Sequence, residues 1–430
     1  MLADRYGLEL STTSVEARDA YAEATDKILS ANAGVEASLA VAIEADAEFA
    51  VAHAAEARQH QKVGRPKEAR AAAQLASELA VGATRREQQH VEIISRMVNG
   101  KVPEALKLTH EHVAEFPLDA LALAPSCGVF GSIGFSGRID REAELLALLE
   151  PLAPHYGNDW WFQTVYAFAL LETGDWAKGR DLAEQSLAQY RANPNAAHTL
   201  THALYESGAD QDILEFLAGW MPEMDRDGLL HCHLSWHFAM AVMTDGDLER
   251  ARQIVLGNCL PGVTSGPAIN AFSDSASFLW RSELAGAPRD IETWNRLSEA
   301  KGELFRRPIV FVDAHVGLIH AALGQTAEMQ ACIIELRELG ESGRLPAGST
   351  AAELTGAYDA FGREAWGEAV DVLEPMMGEV VRIGGSRAQR DLVTNTLLAA
   401  YVNDGRGDKA AAFLAAVHDR QPSHAVVGLN

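Results

Sequence analysis

The chain has 430 residues, 48% hydrophobic and 22% charged, with a formal net charge of −24 at pH 7. That composition excludes wholesale disorder. The acidic balance repels phosphate backbones and anionic lipid, which argues against a nucleic-acid partner.

The length exceeds one compact core, which leaves several domains or a repeat array whose core grows along one axis. The opening stretch MLADRYGLELSTTSVEARDAY carries acids and no apolar centre, so it does not read as a signal peptide. No apolar run approaches the ~20 residues of a membrane span. Cys127, Cys232, Cys259 and Cys332 lie far apart and form no CxxC pair. That pattern fits a reducing cytoplasm better than a disulfide framework.

Along the chain, apolar-periodic runs end at a glycine and restart just after it: KVGRPKEA, VNGKVPEA, FSGRIDREA, ETGDWAKG, ESGADQDI, TDGDLERA, LAGAPRDI, ALGQTAEM, AFGREAWGEA and NDGRGDKA. The glycines are Gly64, Gly100, Gly137, Gly174, Gly208, Gly246, Gly286, Gly324, Gly362 and Gly405, spaced 34 to 43 residues apart. A glycine suits the left-handed turn that closes a helix, and the Asp or Pro that follows starts the next one. The steady period predicts about ten helical hairpins in one continuous domain over 1–430, all-α and without strands. The run RRPIVFVDAHVG falls where a first helix should begin. WFQTVYAFALLETGDWAKGRDLAEQSLAQY resembles a tetratricopeptide repeat, and the expected fold is a right-handed α-solenoid of that type.

Histidines recur at fixed distances from these glycines. His198 and His202 lie 10 and 6 residues before Gly208, His233 and His237 lie 13 and 9 before Gly246, and His315 lies 9 before Gly324. At about 100° per residue these offsets fall on one stripe of the first helix. In tetratricopeptide arrays that stripe faces the concave side. A lone pair at i and i+4 shares a face on any helix and carries little weight. Two pairs on neighbouring first helices predict one shared pocket. Trp161, 13 before Gly174, and Cys127, ten before Gly137, fall near the same stripe. The irregular stretches APSCGVFGSIGFSG and LPGVTSGPAINAFSD suggest a closed pocket more than an open cradle.

Six segments resemble the tetratricopeptide repeat protein 38 family: GLELSTTSVEA, ATRREQQHV, HTLTH, HCHLSWHFAM, VDAHVGLIHAALG and IGGSRAQRD, collinear over nearly the whole chain. The resemblance implies a degenerate tetratricopeptide solenoid. It marks His198, His202, His233, His237, Asp313, His315, Gln389, Arg390 and Asp391 as matching positions. The chain departs from the family pattern at Leu204 and Tyr205, with its acid at Glu206, and at Cys127-Gly128, where the family has a His-Asp pair.

Imidazoles move protons near neutral pH and ligate metals. One reading is therefore acid/base chemistry, with His198 or His237 as base, Asp313 or Glu206 orienting it, and Arg390 anchoring a carboxylate. A second reading is a metallohydrolase in which the four paired histidines hold zinc, manganese or iron to activate water. Both make the chain a hydrolase-like enzyme acting on a small polar or amide-like molecule, with Glu206, Trp161, Cys127, Gln389, Arg390 and Asp391 as binding residues. The other class is a scaffold that takes a peptide or partner protein in its groove. Homo-oligomerisation stays open.

Overall fold

The computed structural model describes residues 2–304, 309–417 and 426–429. The fold is all-α. Its β structure among the described residues is one two-residue antiparallel pair, Leu2–Ala3 with Glu9–Leu10, which sequence periodicity does not foresee. Arg306, Arg307 and Pro308 of the RRPIVFV run lie outside the described residues. The helix that follows spans Val310–Leu323.

Helices pack as sequential pairs. Examples are Ala50–Lys62 with Pro66–Leu79, Trp160–Glu172 with Trp176–Gln189, and His231–Thr244 with Leu248–Asn258. The first helix of a pair also touches the first helix of the next. Trp160–Glu172 meets Pro194–Glu206, and His231–Thr244 meets Ala268–Leu284. This second layer of contact explains the composition of first helices. They are buried nearly all round, so they read as apolar throughout, while second helices keep one wet face.

Nine of the ten predicted turn glycines have positive φ, from 64° at Gly324 to 96° at Gly174 and Gly286. Gly362 is the exception. It is the last residue of the Thr350–Gly362 helix, and Glu364, with φ 60°, takes the left-handed position instead. Gly362 is small for a packing reason: a Cβ there would sit 3.0 Å from Ala321 Cβ and from the Ala321 carbonyl oxygen.

The stretch after Ala120–Leu123 departs from the hairpin pattern. Residues 127–139 form tight turns, and Phe130 and Phe135 pack on Phe311 with ring centroids 5.5 and 6.4 Å apart. Arg141 then reaches across to the far end of the chain. Its Nε donates to the Val381 carbonyl at 2.9 Å and its Nη2 to the Gly385 carbonyl at 2.5 Å. Arg382 returns the contact, donating to the Gly137 carbonyl at 3.0 Å. Elsewhere Asn195 donates to the Leu29 carbonyl at 2.6 Å, and Trp280 Nε1 donates to Thr396 Oγ1 at 3.0 Å. Distant hairpins are thus tied by bonds to groups that would otherwise be buried unpaired, each such loss costing about 1–3 kcal/mol.

Candidate metal centre and cavity

Two helices build the centre. Pro194–Glu206 starts at Asn193, whose side chain caps Ala196 N, and has Pro194 at its first position, where a missing N–H is harmless. The second helix is His231–Thr244. Spacing of four puts His198 over His202 and His233 over His237, and the two helices face each other. All four rings are buried, and one nitrogen from each lies within 4.8 Å of the others. Ring centroids are 4.5 Å apart for His198 and His202, 4.7 Å for His202 and His237, and 4.9 Å for His198 and His233.

The hydrogen bonds define tautomers. His233 Nδ1 donates to Asp274 Oδ2 at 2.8 Å, leaving its Nε2 lone pair available. His198 Nε2 and His202 Nε2 face each other at 3.0 Å, so one carries a hydrogen and the other accepts it. His202 Nδ1 and His237 Nε2 are buried and have no hydrogen-bond partner among the described residues. Burial, reinforced by His202 and His233, holds His198 well below the usual imidazole range. Burial, with His233 beside it, pulls His202 down to about 3. His237 is likewise held well below its ordinary value by burial and by its three neighbouring imidazoles. These rings are neutral at pH 7, the form that binds a metal. Four buried imidazole nitrogens, with two orphaned ring atoms among them and one ring oriented by a carboxylate, suit a transition-metal ion such as zinc.

A cavity of about 400 Å³ adjoins the cluster, and His198 forms part of its wall. Phe168 stacks on His198 with centroids 5.8 Å apart and lines the same cavity. The two irregular stretches supply much of the remainder, through Cys127–Gly131 and Phe135 on one side and Pro267, Ile269 and Asn270 on the other. Trp161 is on the wall, as its spacing predicts. Cys127 is there too, but burial pushes its thiol up to about 12, which leaves it protonated and a poor nucleophile.

The other expected residues are not among the four converging rings. His315 is buried, bonds the Phe311 carbonyl through Nδ1 at 2.7 Å, and is drawn down to about 4 by burial. Asp313 does not orient a histidine. It is half-buried, the charged side chains acting on it are Glu335 and Lys301, and burial lifts its carboxyl to about 7. Glu206 lies 3.6 Å from Arg387 Nε at the end of its helix. Arg390 is no free anion anchor. It donates to the Gly385 carbonyl and to Glu142, both at 2.6 Å. Gln389 closes a capping box with Ser386, and Asp391 accepts from Tyr205 Oη at 2.5 Å.

The carboxylate that does orient a ring, Asp274, escaped sequence reasoning. Its one signal is that it is the lone acid before Glu283 in the otherwise small and apolar stretch AINAFSDSASFLW. Arg58 and Lys62, two cations on the cavity wall, were also missed. Arg58 lies 6 residues before Gly64, the same offset that places His202 inside. No family model matches the chain. Among the described residues no helix is long and apolar enough to cross a membrane.

Proposed function

We propose that this chain is a metal-assisted hydrolase that takes a small amide- or ester-like molecule into the cavity. His198, His202, His233 and His237 would hold one divalent ion, which would supply activation of water for attack near neutral pH. The observation that carries the reading is the convergence of four buried imidazole nitrogens within 4.8 Å, one of them on a cavity wall. Asp274 fixes the tautomer of His233, and His198 marks the side from which water and substrate approach. Phe168 and Trp161 give the cavity an apolar wall that limits bulk water. A right-handed tetratricopeptide-like solenoid of the tetratricopeptide repeat protein 38 type is the matching scaffold. The regular left-handed glycines and the contacts between successive first helices support it. The partner-binding groove is the weaker reading, because residues 127–137 already occupy space against Phe311 and Gly384.

The test is elemental analysis of the purified full chain, alone and after dialysis against zinc, manganese or iron(II), alongside hydrolysis of an aryl ester and an aryl amide panel. About one equivalent of metal is expected, lost in His233→Ala and His237→Ala together with hydrolysis. A chain that retains no metal from any of these solutions would sink the proposal.

A further inference from the structure

The cavity wall carries two cationic side chains, Arg58 and Lys62, and no carboxylate among its described residues. This is unexpected in a protein of net charge −24. Both cations are on the last turns of the Ala50–Lys62 helix, four residues apart, where like charges on one face repel. A helix C-terminus favours a cation, which accounts for Lys62 in part. It accounts for neither the doubling nor the missing counter-charge. Arg58 Nη1 donates to Gln61 Oε1 at 2.5 Å, while its Nε is buried with no hydrogen-bond partner among the described residues. Among the described residues no acid acts on either group: burial lowers Arg58 to about 10, and burial with the nearby Arg58 charge lowers Lys62 to about 8. Two other inward-reaching cations are paired with carboxylates directly. Arg86 meets Asp119 at 2.7 Å, and Arg390 meets Glu142 at 2.6 Å.

The rest of the wall is mainly apolar and aromatic, with Ile94, Leu121, Phe130 and Trp161, interrupted by neutral polar groups such as Gln59 and Asn270. At roughly 30 Å³ for each water-sized group, a cavity of about 400 Å³ holds roughly a dozen non-hydrogen atoms. We infer that the cavity selects an anionic amphiphile: a carboxylate or phosphate head bound by Arg58 and Lys62, on an apolar body that runs toward His198. This deepens the hydrolase reading and rests on it for the statement that the occupant is a substrate. The substrate class is then an amide or ester that also bears an anionic group.

Calorimetric titration of the full chain with 4-phenylbutyrate, 3-phenylpropyl phosphate and 4-phenylbutan-1-ol tests the inference. The anions are expected to bind at least tenfold more tightly than the alcohol, and the preferred anion identifies the head group. Lys62→Met and Arg58→Met are each expected to remove most of that preference and leave alcohol binding unchanged, with circular dichroism melts verifying the fold. Equal binding of alcohol and anions, no binding of any probe, or variants that bind anions like the wild type would each overturn the inference. The titrations are repeated with chelator and in His233→Ala. Anion binding that survives there while no metal is ever found rejects the hydrolase reading alone. Anion binding that disappears with the metal means the ion held the head group, which overturns the role given to Arg58 and Lys62.

Discussion

Asp274 Oδ2 accepts a hydrogen bond from His233 Nδ1 at 2.8 Å, and both groups are buried. The bond joins Ala268–Leu284 to His231–Thr244 and orients the imidazole so that Nδ1 faces the carboxylate. Outer partners of this kind typically change metal affinity by about 10- to 100-fold when removed. Asp274→Ala is therefore expected to weaken zinc binding by about that factor, with Asp274→Asn in between because its amide oxygen can still accept. Competition against a chromogenic chelator measures it. Equal zinc affinity in wild type and Asp274→Ala would remove Asp274 from the site.

Lys62 offers a stability test independent of any ligand. Its folded value is about 8 against an ordinary lysine value of 10.5, so the unfolded chain binds more protons between those pH values. Stability should rise with pH across that window. Replacing Lys62 by Met should flatten the rise and stabilise the free chain at pH 7, by on the order of 1–2 kcal/mol once cavity access is allowed for. Urea melts at pH 7 and pH 9.5 decide it. A variant less stable than the wild type at pH 7 would show that Lys62 has a stabilising partner in the fold.

Asp313 carries the opposite sign. Burial lifts its folded value to about 7 from 3.8, with Glu335 adding to the rise and Lys301 opposing it. The folded chain binds the extra proton, so this residue's contribution falls as pH rises from about 4 to 7. Asp313→Asn should remove that loss, a gain on the order of 1–2 kcal/mol at pH 7 after discounting for partial exposure. Thermal melts of both proteins at pH 4 and pH 7.5 should nearly converge at the lower pH and separate at the higher.

Two glycines should respond differently to alanine. Gly174, with φ 96°, has open space around a notional Cβ, so Gly174→Ala should cost only the backbone term of about 1–3 kcal/mol. At Gly137, with φ 70°, the Cβ would meet the backbone of Pro346 at 2.3 Å. Gly137→Ala should lose distinctly more, because two chain segments must separate. Denaturant midpoints read the difference, and equal losses would contradict the close approach.

The hairpin period and the four-histidine convergence were legible in sequence because both follow from helical geometry. A fixed offset from a left-handed glycine fixes the face of the helix. Asp313 sits two residues, about 200° around the helix, from the buried His315, and it faces Glu335 and Lys301 instead. Asp274 was not legible because it acts across helices, and no offset on its own helix reveals which ring it meets. Arg58 shares the offset of His202, but a cation at that offset reads equally well as a solvated helix-end charge. Gly362 read as a turn residue because sequence cannot tell a glycine needed for its φ from one needed for its size.

Arg141 and Arg382 bind backbone carbonyls 240 and 245 residues away. Stacked hairpins joined only to their neighbours would melt piecemeal from either end. Here the first third is latched to the last fifth, so fraying at one end meets resistance from the other. Assembly must wait for that latch, which makes for slow folding of a chain whose local contacts alone would fold fast. A truncation that removes the Arg387–Asn403 helix and the segment before it should therefore weaken the early hairpins that carry the cavity, although they are far away in sequence.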